Sequence, residues 1–118
     1  MAYIEDPEVK AIVSVFDGYG AAAVLPLLNW AALARQPKII MMGYSAVTAL
    51  LVGITARTGL VTFHGPMLLD GFSEFPELLP YTRSCMERVL CQAEPAGRLL
   101  PPDGWTDAAP SDEQPRPL

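Results

Sequence analysis

Lys38-Ile-Ile-Met-Met-Gly-Tyr-Ser-Ala-Val-Thr-Ala-Leu-Leu51 is the stretch on which the fold turns. A run of apolar, β-prone residues, Lys38–Met42, meets a tight turn, Gly43-Tyr44-Ser45. The chain then enters a run rich in alanine and leucine, Ala46–Thr58, with Gly59 placed to end it. A strand that is apolar along its whole length expects cover on both faces, which is the habit of parallel sheets. Small helix formers closed by a glycine read as a helix with its C′ residue. The segment is therefore a buried strand, a turn and a helix. Uncharged Ile39–Ala56 is long enough to raise the question of a membrane span. However, Gly43, Tyr44, Ser45, Thr48, Gly53 and Thr55 dilute it, and a span needs roughly 20 apolar residues.

Two more strands flank this unit. Lys10–Phe16 is a β-branched apolar run ahead of the glycine turn Asp17-Gly18-Tyr19-Gly20, and Leu60–Phe63 precedes His64-Gly65-Pro66. Between the first and second strands, Ala21–Leu28 reads as a helix, and Asn29 as the N-cap of a second short helix, Trp30–Arg35, stopped by Gln36-Pro37. Pro80–Ala93 is an amphipathic helix with proline in its first turn and Pro95 beyond its end. The order of strand, helix, strand, helix, strand predicts an α/β fold: a partial parallel sheet flanked by helices. Residues 101–118, rich in proline and acid with little apolar periodicity, are expected to form a disordered linker or tail beyond a domain of residues 1–100.

Composition narrows the function classes. The chain has 118 residues and is 51% hydrophobic, enough for one small core. Its net charge is −5 with no basic patch, so nucleic acid is not an expected partner. The acidic start, MAYIEDPEVK, lacks the apolar core of a signal peptide, and no membrane association is expected. Cys85 and Cys91 are spaced for neither a CxxC pair nor a zinc cluster and are read as reduced thiols, which agrees with the cytoplasm. Asp70, Glu74 and Glu77 are read as solvated acids. No metal and no cofactor are expected.

The chemically suggestive element is the serine turn. A strand end projects Ser45 out of the sheet, and the following helix offers free N–H groups and a positive dipole end. The N–H of Ala46 is placed to donate to a tetrahedral oxyanion. The commoner use of a serine there is a simple N-cap, and Val47 stands where the α/β-hydrolase motif wants glycine. His64, at the end of the third strand, reads as a histidine bonded to its neighbours, with a general base for Ser45 as the alternative. Tyr19 and Tyr44 are candidates to line a pocket, or simply half-buried aromatics.

Several segments in order carry a more specific signal. They are Asp6-Pro7-Glu8-Val9-Lys10-Ala11-Ile12, Asp17-Gly18-Tyr19-Gly20-Ala21, Leu25-Pro26-Leu27-Leu28-Asn29-Trp30, Gln36-Pro37-Lys38, Gly43–Leu51 and Thr58–Met67. Together they resemble the N-terminal, Rossmann-like domain of the LD-carboxypeptidases, a family that includes the microcin-immunity peptidases. The resemblance implies a serine hydrolase with Ser45 as nucleophile, cleaving the L,D-peptide bond of a murein tetrapeptide in cytoplasmic cell-wall recycling, or an antibiotic acyl-adenylate analogue. It implies an oxyanion and substrate site at Ala46, Gly18, Tyr19 and Tyr44. It also implies a glutamate and a histidine from a C-terminal domain as the rest of the triad. The chain departs from the family at Phe16-Asp17, where Arg-Gly is usual, and at Ala46, where aspartate is usual. The expectations are a partial nucleophile domain, inactive alone, an inactive fragment or pseudoenzyme being the alternative, and association through an exposed sheet edge or as a homodimer.

Overall fold

The computed structural model describes residues 2–35, 40–108 and 113–114. Lys38 and Ile39 of the expected second strand, the Gln36-Pro37 stop and most of 109–118 lie outside them. The chain divides into two compact units, Met1–Leu68 and Leu69–Leu118.

The first unit is a three-stranded parallel sheet with helices. Strands β1 (Ala11–Val13), β2 (Ile40–Gly43) and β3 (Phe63–His64) pair in the order β1-β2-β3. The register sets Ile12 opposite Met41 and Met42 opposite Phe63, with Gly43 opposite His64. The ladder runs slightly past the strand ends: Ser14 N–H donates to the Met42 carbonyl at 3.0 Å and Gly65 N–H to the Gly43 carbonyl at 3.1 Å. β2 is central, and Met41 and Met42 are buried. That burial explains its unbroken apolar sequence.

The two outer strands are shorter than expected. Beyond Ser14 the partner strand has already turned away at Gly43, so Val15 and Phe16 have no ladder to join and stand exposed. In the segment ahead of β3, the Thr62 hydroxyl donates to the Leu51 carbonyl at 3.2 Å and shares a hydrogen bond of 2.9 Å with the Thr55 hydroxyl. That segment is committed to the neighbouring helix before it reaches the sheet, and Leu60 is buried in the core.

The helices show why composition alone misjudged one of them. Ala21–Leu27 is a 3-10 helix, not the α-helix its alanines suggest. Pro26 lies inside it, lacks an N–H and would collide with an α-helical carbonyl four residues back. The next helix, Trp30–Ala34, starts as expected: the Asn29 side chain accepts a hydrogen bond from Ala32 N–H at 3.1 Å. With a short helix at Ala2–Glu5 counted as α1, it is α2. The long helix α3 spans Thr48–Thr58 and is preceded by a 3-10 turn, Ser45–Val47. Gly59 closes it at φ 73°, a left-handed conformation that a side chain would resist. Leu51 and Ile54, one turn apart on α3, join Ile4, Leu33, Met41 and Leu60 in the core. Arg57 stacks over the Trp30 ring at 4.8 Å from its centre, so α2 and α3 also meet at the surface.

In the second unit, α4 (Pro80–Leu90) ends three residues earlier than its pattern suggested. The chain beyond it is tied back to it. The Arg88 guanidinium donates to the Ala96 carbonyl, and the Tyr81 hydroxyl donates to the Leu100 carbonyl at 2.7 Å. Among the described residues, no helix is long and apolar enough to cross a membrane. The Ile39–Ala56 stretch, in its described part, is a strand, a turn and a helix.

Leu33 is fully enclosed in a core of few residues. Replacing it with alanine is expected to cost about 2–5 kcal/mol, a large share of the stability of a small domain. Urea unfolding of Leu33→Ala beside the parent chain checks this; a loss under about 1 kcal/mol would mean that Leu33 is not a core side chain.

Candidate active site

The site is built at the C-terminal end of the central strand, where open parallel sheets gather their functional groups. β2 ends at Gly43, which has no room for a side chain. A Cβ there would come within 2.9 Å of both the Ser14 hydroxyl oxygen and a Val47 methyl carbon. Tyr44 continues in an extended conformation, and Ser45 then takes φ 53°. For a serine this left-handed angle costs on the order of 1–2 kcal/mol. The turn is closed by Val47 N–H donating to the Tyr44 carbonyl at 3.2 Å. The strain lifts Ser45 to an exposed position between the strand end and the 3-10 turn that leads into α3. Strand, strained serine and helix together are the geometry of a nucleophile elbow.

The glycine loop after β1 reaches the same place. Asp17 accepts a hydrogen bond from Ala46 N–H through one carboxylate oxygen at 3.0 Å, across 29 positions of sequence. The Ser45 side chain, bonding to the same carboxylate, is the chief cause of an Asp17 pKa held below the ordinary carboxylate value. Partial burial opposes this, while the N–H groups of Gly18 and Ala46 reinforce it. Gly18 and Tyr19 are exposed on this loop, and Tyr19 is fully so. Tyr44 is half-buried and meets His64 edge-on, with ring centres 6.4 Å apart. His64 is exposed one strand away from the serine turn.

The loop and the turn both lie within the part of the chain that matches a known family. Residues 1–65 match the model of the LD-carboxypeptidase N-terminal domain. The chain belongs to the LD-carboxypeptidase family. Within it, the chain is 42% identical over 104 residues to a carboxypeptidase-class protein of Vibrio cholerae, and 37% identical over 105 residues to the microcin C7 self-immunity protein MccF of Escherichia coli. These alignments take in 88% of this chain but span only 31% and 30% of the relatives. MccF in its unliganded wild-type state superposes with a TM-score of 0.69 at 39% identity, covering 75% of this chain and 26% of that one. The α/β fold with its parallel sheet is thus the fold of LD-carboxypeptidase relatives of known structure.

Sequence reasoning brought Ser45, Ala46 and Gly18 to one place, and the structure gathers them there. It missed the contact that binds them. Asp17 stood out only as an acid where the family usually has glycine. Its use as a cap reached from another strand has one legible trace: aspartate is among the residues that satisfy free N–H groups at helix starts.

Two tests follow from this geometry. Ser45→Gly and Ser45→Ala both remove the hydroxyl, but only glycine relieves the left-handed backbone. Ser45→Gly is expected to be the more stable of the two by about 1 kcal/mol in urea unfolding. Equal stabilities would mean that the turn is unstrained. The second concerns pH. A carboxyl whose pKa is depressed by folding stabilises the fold above its ordinary value of 3.8. That contribution disappears as pH falls below this value and through the lower folded pKa. Asp17→Asn is therefore expected to flatten the acid limb of stability against pH, which thermal melts between pH 2 and 6 would register.

Proposed function

We propose that this chain carries the nucleophile of a serine LD-carboxypeptidase, with Ser45 attacking the carbonyl of an amide between an L- and a D-amino acid. The observation that carries the reading is the strained serine at φ 53° on the central strand end, in a family whose members are peptidases. A serine hydroxyl attacks only when a base takes its proton. His64 stands one strand away and is engaged edge-on by Tyr44. The base and its orienting carboxylate in this proposal are the histidine and glutamate of a C-terminal domain that the family resemblance implies. In this scheme the Ala46 N–H faces the developing oxyanion, the Gly18-Tyr19 loop and Tyr44 flank the substrate, and the work is murein peptide recycling in the cytoplasm. A Bacillus subtilis relative named "probable murein peptide carboxypeptidase", 34% identical over 89 residues, supports that substrate.

A second reading has its own support. MccF structures similar to this chain include one in complex with adenosine monophosphate and one in complex with glutamyl sulfamoyl guanosine. An aminoacyl-nucleotide analogue is therefore the alternative substrate class.

A graft tests both. Residues 1–65 replace the matching segment of the Bacillus subtilis relative, and the hybrid is given murein tetrapeptide or an aminoacyl sulfamoyl nucleoside. Release of D-alanine is expected, falling by about 10⁴-fold or more in the Ser45→Ala hybrid, while the ungrafted chain releases none. A Ser45→Ala hybrid that kept full activity would remove Ser45 from the mechanism. Cleavage of the nucleoside alone would favour the second substrate.

A further inference from the structure

We propose that Asp17 is a built-in occupant of the Ser45 site: its carboxylate sits on the Ala46 N–H that an oxyanion would use, so an acyl group reaches Ser45 only after the Asp17 side chain has moved away. The inference rests on the reading of Ser45 as nucleophile, and it adds a regulatory element to that site.

The geometry is specific. The N–H in question belongs to the residue that follows the serine, and Asp17 holds it at 3.0 Å. An N–H has one strong acceptor direction, so a carboxylate oxygen and a substrate carbonyl oxygen exclude each other there. The carboxylate is the stronger competitor for three reasons. It is charged, it is tethered to the same fold, and it lies at the positive end of the turn leading into α3. A neutral ground-state carbonyl brings none of these advantages. Nor does the fold resist the opening. Gly18 and Gly20 have no neighbouring atom within 4 Å of where a Cβ would be, and Tyr19 is fully exposed. Space is open at Gly18 and Gly20, and Asp17 is only half-buried and outside the core, so a rotation of its side chain clears the N–H without a move in the core. The occupied site also selects. A ligand bringing its own negative charge to this spot meets the carboxylate, whereas a ligand bringing a cationic group near Asp17 draws it away from Ala46.

The full 118-residue chain, labelled with 15N, tests this with phenylboronic acid as the probe. The boron accepts an electron pair from a serine oxygen, the hydroxyl proton passes to buffer, and the resulting tetrahedral anion needs the Ala46 N–H. Asp17→Gly is expected to shift the Ala46 amide resonance and to bind phenylboronic acid about tenfold or more tighter than the parent chain. Asp17→Asn, which keeps an acceptor without the charge, is expected to fall between them, and it serves if the glycine variant does not fold. Equal affinities, absence of binding to every variant, or an Ala46 amide indifferent to residue 17 would each overturn the proposal. Asp17 would then be a cap and no more. The double variant Asp17→Gly/Ser45→Ala separates the two ideas. If it retains tight binding, Asp17 still guards the N–H, but Ser45 is not the attacking group.

Discussion

The central position of β2 is the constraint from which the first unit follows. A strand hydrogen-bonded on both sides by parallel neighbours cannot shift without breaking two ladders, and its side chains must be apolar on both faces. Met41 and Met42 meet that demand and are buried, while Val15, Phe16 and Val61, which lie outside the short outer strands, are exposed. Because β2 is fixed, so is the point where it ends. The turn that must follow is squeezed between a glycine that admits no side chain and a helix anchored by Leu51 and Ile54. The left-handed serine is the result of that squeeze. Its strain persists because the sheet below and the helix behind leave no relaxed alternative.

Much of this was legible in the residues. The order of strands and helices, the cap at Asn29 and the stop at Gly59 are written in local chemistry, and each formed where that chemistry put it. Lengths were harder to see. A β-branched run does not announce where its partner turns away, so Lys10–Phe16 became a three-residue strand. Nor do three alanines in a row outweigh a proline five residues on, which drew Ala21–Leu27 into a tighter helix. The serine turn was recognisable because its parts are contiguous. The Asp17 contact was not, because its partners are 29 positions apart and only the pairing of β1 with β2 brings them together.

That contact joins two oddities that looked unrelated in the sequence. Measured against the family pattern, the chain has gained a carboxylate at Asp17 and lost one at residue 46, now alanine. In three dimensions these are the two ends of one hydrogen bond. The negative charge near the serine turn therefore comes from the loop after β1 and reaches the N–H of residue 46 from there. That charge complements the helix start. It alters what the loop presents to anything that approaches Ser45, since the charge now hangs from a segment with open space around it.

Gly43 carries a consequence for how such sites are recognised. Any side chain there would strike the side chains of both Ser14 and Val47, which would have to give way beside the serine turn. A saturation survey of substitutions would therefore find Gly43 about as intolerant as the serine two residues later, for a reason that involves no reaction chemistry. A spacer and a nucleophile would look alike in a table of fitness values. Only the atoms that a methyl group would hit tell the two apart.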